Sequence, residues 1–162
     1  MIYAGIGSRQ TPLPILADME ELAQSLADSG HTLSSGGALG ADTAFERGCD
    51  EAAGRKRVFL PSYPVPSWAI IHAAQHHPAW HRCATFAHQA HARNSLIMLG
   101  SNGHSPVSLV ICWTPGGLVT GGTGQALRIA AALHIPVYNL ALHTPSEILH
   151  HIDFPTDQEA LR

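Results

Sequence analysis

Met1–Arg9 reads MIYAGIGSR, and this stretch decides the fold that the sequence predicts. Its first residues, Met1–Ile6, form an apolar run of strand length, which passes directly into the loop Gly7-Ser8-Arg9. An amphipathic helix is predicted next at Ile15–Ser29, and Gly30 suits its C-terminal end. A strand, a loop of small residues and a helix thus follow one another at the start of the chain.

The same order continues along the rest of the chain. Further strands are predicted at His31–Ser34, Arg57–Leu60, Val107–Trp113 and Pro136–Leu140. Further helices are predicted after Asp42 to about Ala53, at Trp68–His77 inside the long loop Pro61–Pro78, and at Thr85–Leu99, Gln125–His134 and Pro145–His151. Five alternations predict an α/β fold, a Rossmann-like, doubly wound parallel sheet of about five strands with helices on both faces, because right-handed crossovers require that layout. We expect one domain over residues 1–162, with residues 152–162 as a polar, mobile tail.

Composition narrows the range of partners. Only 13% of the residues are charged, against a usual share of roughly 25%. We therefore expect part of the surface to be covered in a homo-oligomer, a dimer or higher, although the 12 histidines and small polar residues could carry the surface instead. The net charge of −3 and the lack of a basic run longer than Arg55-Lys56-Arg57 argue against a nucleic-acid partner.

No apolar stretch approaches the ~20 residues of a membrane span, so we expect a cytoplasmic protein without a membrane partner. Cys49, Cys83 and Cys112 are isolated and odd in number. They indicate neither a disulfide framework nor a Cys-x-x-Cys metal site.

Three loops rich in small residues follow predicted strands and precede helices: Gly5–Arg9, Ser35–Asp42 and Pro115–Gln125. In an open α/β sheet, ligands bind beyond the carboxyl ends of the strands. Glycine lets the backbone approach a phosphate, and the free amides of the following helix favour an anion. The three loops together predict a phosphate or ribose-phosphate site, with tight turns as the alternative.

Four motifs in order carry a resemblance to a known group of proteins: Tyr3–Arg9, Ser35–Asp42, Ala92-Arg93-Asn94 and Gly121–Ala126. They resemble the SLOG superfamily of Rossmann-like domains, which includes DprA-like DNA-processing proteins and LOG-type cytokinin-activating enzymes. The chain is most similar to small single-domain bacterial and phage versions, from about Ile2 to Leu149. The resemblance implies a Rossmann-like fold and a nucleotide-derived ligand.

One departure from the LOG pattern concerns catalysis. LOG enzymes cleave the bond from base to ribose, and their motif Pro-Gly-Gly-x-Gly-Thr-x-x-Glu ends in a glutamate that the chemistry needs. Here Pro115-Gly116-Gly117 is separated by an insertion from Gly122-Thr123, and the glutamate position falls on Ala126, beside Gln125. Neither residue can act as a carboxylate would. LOG-type hydrolysis is therefore disfavoured.

The residues expected to contact the ligand are loop glycines and nearby hydrogen-bonding or stacking side chains. They are Gly7, Ser8, Arg9, Ser35, Gly36, Gly37, Asp42, Arg93, Asn94, Trp113, Gly121, Gly122, Thr123, Gly124 and Gln125. Arg9 could fork onto a phosphate; for Arg93 and Asn94 the resemblance implies a position facing the ligand. Trp113 could stack on a base or close the core instead.

Asp42 and Glu46 are the weak candidates for catalysis. They are four residues apart at the start of a helix and so share a face. Asp42 could accept hydrogen bonds from a ribose or, with Glu46, act on a glycosidic carbon. The alternative is that Asp42 caps the helix and Glu46 is solvated.

The histidines raise the question of a metal. His72, His76, His77 and His81 have near-helical spacing, with His88 and His91 further along the chain. No carboxylate or Cys-x-x-Cys lies among them, and Pro78 interrupts the run. We expect a histidine-rich surface or an oligomer contact, with no metal and no cofactor.

Together these observations predict a binder that does not cleave its ligand, an ADP-ribose-type or cyclic nucleotide signal. The resemblance suggests that a phage version could sequester such a signal as an anti-defence protein in the host cytoplasm. The alternatives are a nucleoside 5′-monophosphate N-glycosidase and a DprA-like protein that handles DNA.

Overall fold

The computed structural model describes residues 1–154, and within them five parallel strands form one sheet. The strands are β1 (Ile2–Gly7), β2 (Thr32–Ser35), β3 (Arg55–Val58), β4 (Leu109–Trp113) and β5 (Val137–Asn139). Their order across the sheet is β3-β2-β1-β4-β5, so the chain builds outward from β1 in one direction and then crosses to β4 on its other side. The predicted Rossmann-like α/β fold is confirmed.

Helices cover both faces of the sheet. They are α1 (Leu13–Asp28), α2 (Ala41–Glu51), α3 (Ser67–Gln75), α4 (Thr85–Leu99), α5 (Gly121–Ala132) and α6 (Pro145–Asp153). Apolar side chains of α1, α2 and α6 pack against one face of the sheet, and those of α3, α4 and α5 pack against the other. Among the residues that the structure describes, no helix has the length and apolarity needed to cross a bilayer.

The side chains of β1 alternate between the two cores, as the period of a strand requires. Tyr3 joins the core under α1 and α2, whereas Ala4 and Ile6 join the core under α3, α4 and α5. Burial on both faces explains why the central strands are short, nearly continuous apolar runs.

Glycine lets α2 approach the end of β1. A Cβ atom on Gly7 would lie 2.5 Å from the Cβ of Ala41, the first residue of α2. Gly7 also pairs in register with Trp113, so the ends of β1 and β4 lie side by side. This pairing fixes the point at which the strand order changes direction.

The structure changes three predicted boundaries. Helix α5 begins at Gly121 rather than Gln125, because the N–H groups of the first turn of a helix need no acceptor within the helix. The first N–H group of α5 to bond is that of Gly124, which donates to the carbonyl of Thr120 at 2.8 Å. The predicted tail is wrong at its start, since α6 continues to Asp153 and Ile152 packs against the core; residues 155–162 of that tail lie outside the described residues. The third strand, predicted from Arg57, begins at Arg55, so Arg55-Lys56-Arg57 lies within the edge strand β3.

Candidate ligand-binding site

A cavity of about 470 Å³ opens at the carboxyl edge of the sheet, beside the adjacent ends of β1 and β4. Its walls come from the loops after β1, β2 and β4 and from one side of α4. In doubly wound sheets this switch point is where ligands bind, and the volume falls in the usual range for small-molecule sites.

Most of the residues predicted to contact a ligand meet at this cavity. Those that line it are Gly7, Ser8, Arg9, Asp42, Arg93, Asn94, Gly121, Gly122 and Thr123. Sequence reasoning did not single out further lining residues, among them Gln10, Ala90, His91 and Thr120. Three glycine loops and the Arg93-Asn94 pair therefore converge on one space, as the order of the motifs suggested.

The other predicted contacts, Ser35, Gly36, Gly37, Trp113, Gly124 and Gln125, do not line the cavity. Trp113 packs against the core under α1 and α2 instead of facing the opening. Gly124 has a packing role, because a Cβ there would lie 2.7 Å from the backbone of Val119. Gln125 is wholly buried, and its side chain joins α5 to its neighbours.

Helix α5 presents unused backbone donors to the cavity. Its N-cap, Thr120, makes no side-chain capping bond. Within the described residues, the N–H groups of Gly121, Gly122 and Thr123 have no hydrogen-bond acceptor. Apart from its chain neighbours and the backbone of its own helix, no described atom lies within 4 Å of the position that a Cβ on Gly122 would occupy. The free amides and the positive end of the helix dipole favour an anion here.

Arg93, on α4, brings a cation to the same space. Its Nε is buried and has no hydrogen-bond partner among the described residues. Burial lowers the pKa of the Arg93 guanidinium, which the nearby Asp42 carboxylate opposes and Arg9 reinforces. A guanidinium nevertheless stays protonated in proteins, so a half-buried positive charge faces the cavity.

Arg9 supplies a second guanidinium, on the exposed turn after β1. The ion pairs of the described residues join Arg47 with Glu20 and Lys56 with Asp50, and neither lies at the cavity. Arg9 lies close enough to Arg93 for its charge to lower the pKa of that guanidinium. Within residues 1–154, no carboxylate forms an ion pair with either arginine. This arrangement is suited to binding an anion.

Asp42 is the acidic residue at the cavity wall, and only 5% of it is exposed. Its Oδ2 accepts hydrogen bonds from the N–H groups of Gly36 and Ala38, both at 3.2 Å. Burial raises the pKa of Asp42 to about 6, although those two N–H groups and Arg93 favour the charged form. The carboxylate therefore holds the loop after β2 in place, and its Oδ1 makes no hydrogen bond within the described residues.

Glu46 does not lie at the cavity. Its Oε1 accepts a hydrogen bond from the hydroxyl of Ser35 at 2.7 Å, which also accounts for Ser35. Asp42 and Glu46, which the sequence predicts on one helix face, therefore have different roles. Asp42 lines the cavity, whereas Glu46 binds Ser35 outside it. Ala126, at the position of the LOG glutamate, is fully buried in α5.

A group of metal-ligating side chains lies against the cavity wall, where the sequence analysis expected no metal. His77, Cys83 and His91 bring one donor atom each within 4.8 Å of one another, and His91 also lines the cavity. Burial lowers the pKa of both histidines, so the rings are neutral near pH 7. The sequence gives little warning, because a lone cysteine and two histidines 14 positions apart match no compact ligand motif.

Comparison with known proteins establishes the fold alone. No protein-family model matches the chain, and no curated protein matches it. The chain is similar to a solved structure of the Moco carrier protein of Chlamydomonas rheinhardtii, with 16% identity, 99% of this chain and 98% of that chain covered, and a TM-score of 0.63. A second structure, of the molybdenum cofactor carrier protein MCP from Chlamydomonas reinhardtii, has 15% identity, the same coverage and a TM-score of 0.48.

Proposed function

We propose that this chain binds a phosphate-bearing, nucleotide-derived small molecule in the cavity beside the ends of β1 and β4, and does not cleave it. One observation carries the proposal. Two guanidinium groups and three backbone N–H groups border a single cavity. The guanidinium groups form no ion pair with any described carboxylate, and the N–H groups have no acceptor among the described residues. A phosphate would supply the missing anion to both sets of donors.

The first turn of α5 is the expected seat of that phosphate. The backbone N–H groups of Gly121, Gly122 and Thr123 have no acceptor among the described residues, and all three residues line the cavity. The Thr123 hydroxyl, which has no partner among the described residues, adds a further donor. Arg93 approaches from α4 on a rigid element, which limits the entropy lost when the ligand binds.

The remaining walls suit a ribose and a base. Asp42 offers an oxygen that is free to accept a hydrogen bond from a sugar hydroxyl. Ile6, Ile97 and Pro115 supply apolar surface on which a planar ring can pack. This division between polar donors and apolar walls is usual for nucleotide sites.

The lack of a free carboxylate pair supports binding without cleavage. Asp42 is held by two loop amides, and Glu46 is held by Ser35 outside the cavity. Glycoside hydrolysis ordinarily needs two carboxyl groups on either side of the bond that breaks. Asp42 alone among the described acidic residues lines the cavity.

Within this class, we propose an ADP-ribose-type or cyclic nucleotide signal as the ligand, sequestered by a SLOG-like protein of phage anti-defence in the host cytoplasm. The support is the resemblance of the four sequence motifs together with the cavity they form. Sequestration needs a dissociation constant near 1 nM, about −12 kcal/mol. A site closed by a second copy in a homo-oligomer would reach that affinity more readily than an open cleft.

The test is mass spectrometry of a nucleotide panel incubated with the pure protein and analysed before and after heat denaturation. The panel holds AMP, NAD, ADP-ribose, cyclic ADP-ribose isomers, cyclic oligonucleotides and, because a similar fold belongs to a carrier of it, the molybdenum cofactor. A nucleotide that leaves the free pool and returns intact on denaturation supports the proposal. The proposal is contradicted if no nucleotide in the panel binds at micromolar concentration, or if the protein retains the molybdenum cofactor alone.

A nucleotide N-glycosidase is the second candidate, and the pKa of Asp42 favours it. A carboxyl group with a pKa of about 6 can donate a proton to a leaving base near neutral pH. In the same panel, this activity would appear as free base and ribose phosphate. Asp42→Asn would abolish it, whereas Glu46→Gln, which changes a carboxylate outside the cavity, would leave it.

A further inference from the structure

Three side chains from successive turns and helices between His77 and His91 form a cluster beside the cavity: His77, Cys83 and His91, here called the His77 cluster. His77 follows α3, Cys83 follows the short 3-10 turn Trp80–Arg82, and His91 lies within α4. The packing of α3 against α4 brings them together.

The distances within the cluster are close to those of a metal site. The Sγ atom of Cys83 lies 3.8 Å from Nε2 and 3.9 Å from Nδ1 of His77. In a tetrahedral zinc site, Zn–N bonds of about 2.0 Å and Zn–S bonds of about 2.3 Å place nitrogen and sulfur donors about 3.5 Å apart. The Cys83 and His77 donors are thus near the separation of a zinc site, and a closer approach of the His91 donor, which lies within 4.8 Å of the other two, would complete the geometry.

We infer that the His77 cluster binds a zinc ion, or a similar soft divalent metal ion, through two imidazoles and one thiolate. Imidazole and thiolate are the ligands that zinc takes most often in proteins. The Nδ1 atom of His91 is buried and has no hydrogen-bond partner within the described residues, so it has an unsatisfied bonding capacity that a metal ion would fill.

In the metal-free protein, backbone atoms of Ala79 bind the other two side chains. The N–H of Ala79 donates to Nδ1 of His77 at 3.2 Å, and its carbonyl accepts from the Cys83 thiol at 3.6 Å. When the metal binds, the thiol proton is released to solvent, and the sulfur–metal bond replaces the S–H bond together with its hydrogen bond to Ala79. The hydrogen bond from the Ala79 N–H to His77 is also given up, because a neutral imidazole that binds a metal ion has no second lone pair to accept it. The resulting thiolate also offsets the positive charge of Arg128, whose field reaches both histidines.

Three protein donors leave one position of a tetrahedral ion open. Since His91 lines both the cluster and the cavity, a bound metal would lie at the cavity wall. The open position would then take water or an oxygen atom of a ligand. The proposal does not depend on which ligand the cavity holds.

Cobalt(II) titration of the chelator-treated, full-length protein tests the site without any nucleotide. We expect one equivalent of cobalt(II) to bind and to produce a thiolate-to-cobalt charge-transfer absorption band. Added zinc should displace the cobalt and remove the band. Cys83→Ser should abolish the band and His91→Ala should weaken binding at least tenfold. His81→Gln, on an exposed histidine of the same segment, serves as the control and should leave both unchanged.

A second measurement uses the unmodified protein, so it holds even if a variant fails to fold. Cys49 and Cys112 are buried, and Cys83 is the half-exposed thiol. We expect one thiol to react rapidly with a disulfide reagent and one equivalent of zinc to slow it at least tenfold. A cobalt spectrum without a thiolate band, or a thiol rate that zinc leaves unchanged, overturns the inference.

Discussion

The side-chain amide of Asn94 donates a hydrogen bond to the side-chain oxygen of Gln125 over 3.2 Å, and this bond joins α4 to α5. The same amide nitrogen of Asn94 lies 3.1 Å from the carbonyl oxygen of Gly122 at the first turn of α5. Gln125 in turn donates to the carbonyl of Ala73 in α3, at 3.2 Å. One buried side chain therefore fixes three helices around the cavity.

Gln125→Ala should lower the free energy of unfolding by about 2–6 kcal/mol. The substitution leaves the Ala73 carbonyl without its donor and removes buried side-chain volume, two effects that each cost about 1–3 kcal/mol. Urea denaturation followed by circular dichroism measures the change. Gln89→Ala is the matched control, because Gln89 is exposed on α4 and should lose less than 0.5 kcal/mol, within the usual ± 0.5 kcal/mol of surface substitutions. Equal losses in the two variants would contradict the role assigned to Gln125.

The two arginines at the cavity should differ in their effect on nucleotide binding. Arg93→Gln should weaken binding roughly ten- to hundredfold, since a half-buried charge-assisted hydrogen bond contributes about 1.5–3 kcal/mol. Arg9→Gln should weaken it only a few-fold, and the loss should shrink further as salt is added, because Arg9 is exposed.

Calorimetric titration with the nucleotide that the panel identifies measures both losses. Arg82→Gln, on an exposed arginine that does not line the cavity, is the control. The burial of the two residues implies that Arg93 contributes more to phosphate binding. A large loss of affinity in Arg9→Gln, with Arg93→Gln close to the wild type, would contradict this prediction.

Two glycine variants should separate binding from stability. Gly122→Ala adds a methyl group in open space at the start of α5, so the protein should remain at least as stable while phosphate binding falls roughly tenfold. Gly7→Ala places its methyl group 2.5 Å from Ala41 Cβ and should destabilise the fold by about 1–3 kcal/mol through overpacking.

Thermal unfolding and ligand titration of the pair make the comparison direct. The expected pattern is a lower melting temperature for Gly7→Ala alone and a lower affinity for Gly122→Ala. A loss of stability in Gly122→Ala would show that the start of α5 is packed against something rather than open.

Asp42 should make stability fall as the pH rises. Its pKa in the folded state is about 6, above the ordinary value of 3.8, so the folded protein binds the proton more tightly than the unfolded chain. Below pH 3.8, Asp42 is protonated in both the folded and the unfolded state, and its burial does not lower the free energy of unfolding. Between that pH and about 6 the unfolded chain ionises first, so the loss of stability grows, and above about 6 it is constant. At about 1.4 kcal/mol for each pKa unit, the loss reaches about 3 kcal/mol.

Asp42→Asn removes this charge and keeps an oxygen that can accept from Gly36 and Ala38. Relative to the wild type, the variant should therefore gain stability as the pH is raised from 4 to 7. Unfolding free energies measured at both ends of this interval test the sign. A difference that stays constant with pH would mean that Asp42 titrates normally.

The sequence could predict the fold because its signals are local. Apolar runs such as Val107–Trp113 and the glycine loops after them lie next to one another in the chain, and the parallel layout follows from their order. The same logic predicts Gly7 and Gly122 at one edge of the sheet, where both line the cavity, whereas the position of Arg93 is implied by the resemblance of its motif.

The remaining features depend on which way a side chain faces. Gln125 follows the glycine motif directly, but one residue along a helix turns a side chain by about 100°, which takes Gln125 from the cavity into the core. Trp113 is at the end of a strand, where the alternation of faces directs it to the opposite core. The His77 cluster depends on the packing of α3 against α4, which no local pattern encodes.

The position of Arg55-Lys56-Arg57 on β3 also limits how copies of this chain can associate. An edge strand offers unpaired backbone groups to any further strand, and natural proteins commonly protect such edges with cationic side chains. Two copies that extended their sheets through β3 would bring the exposed Arg55 residues of both close together, and within residues 1–154 Arg55 forms no ion pair. Repulsion between these like charges opposes fibre-like stacking of copies through the β3 edge.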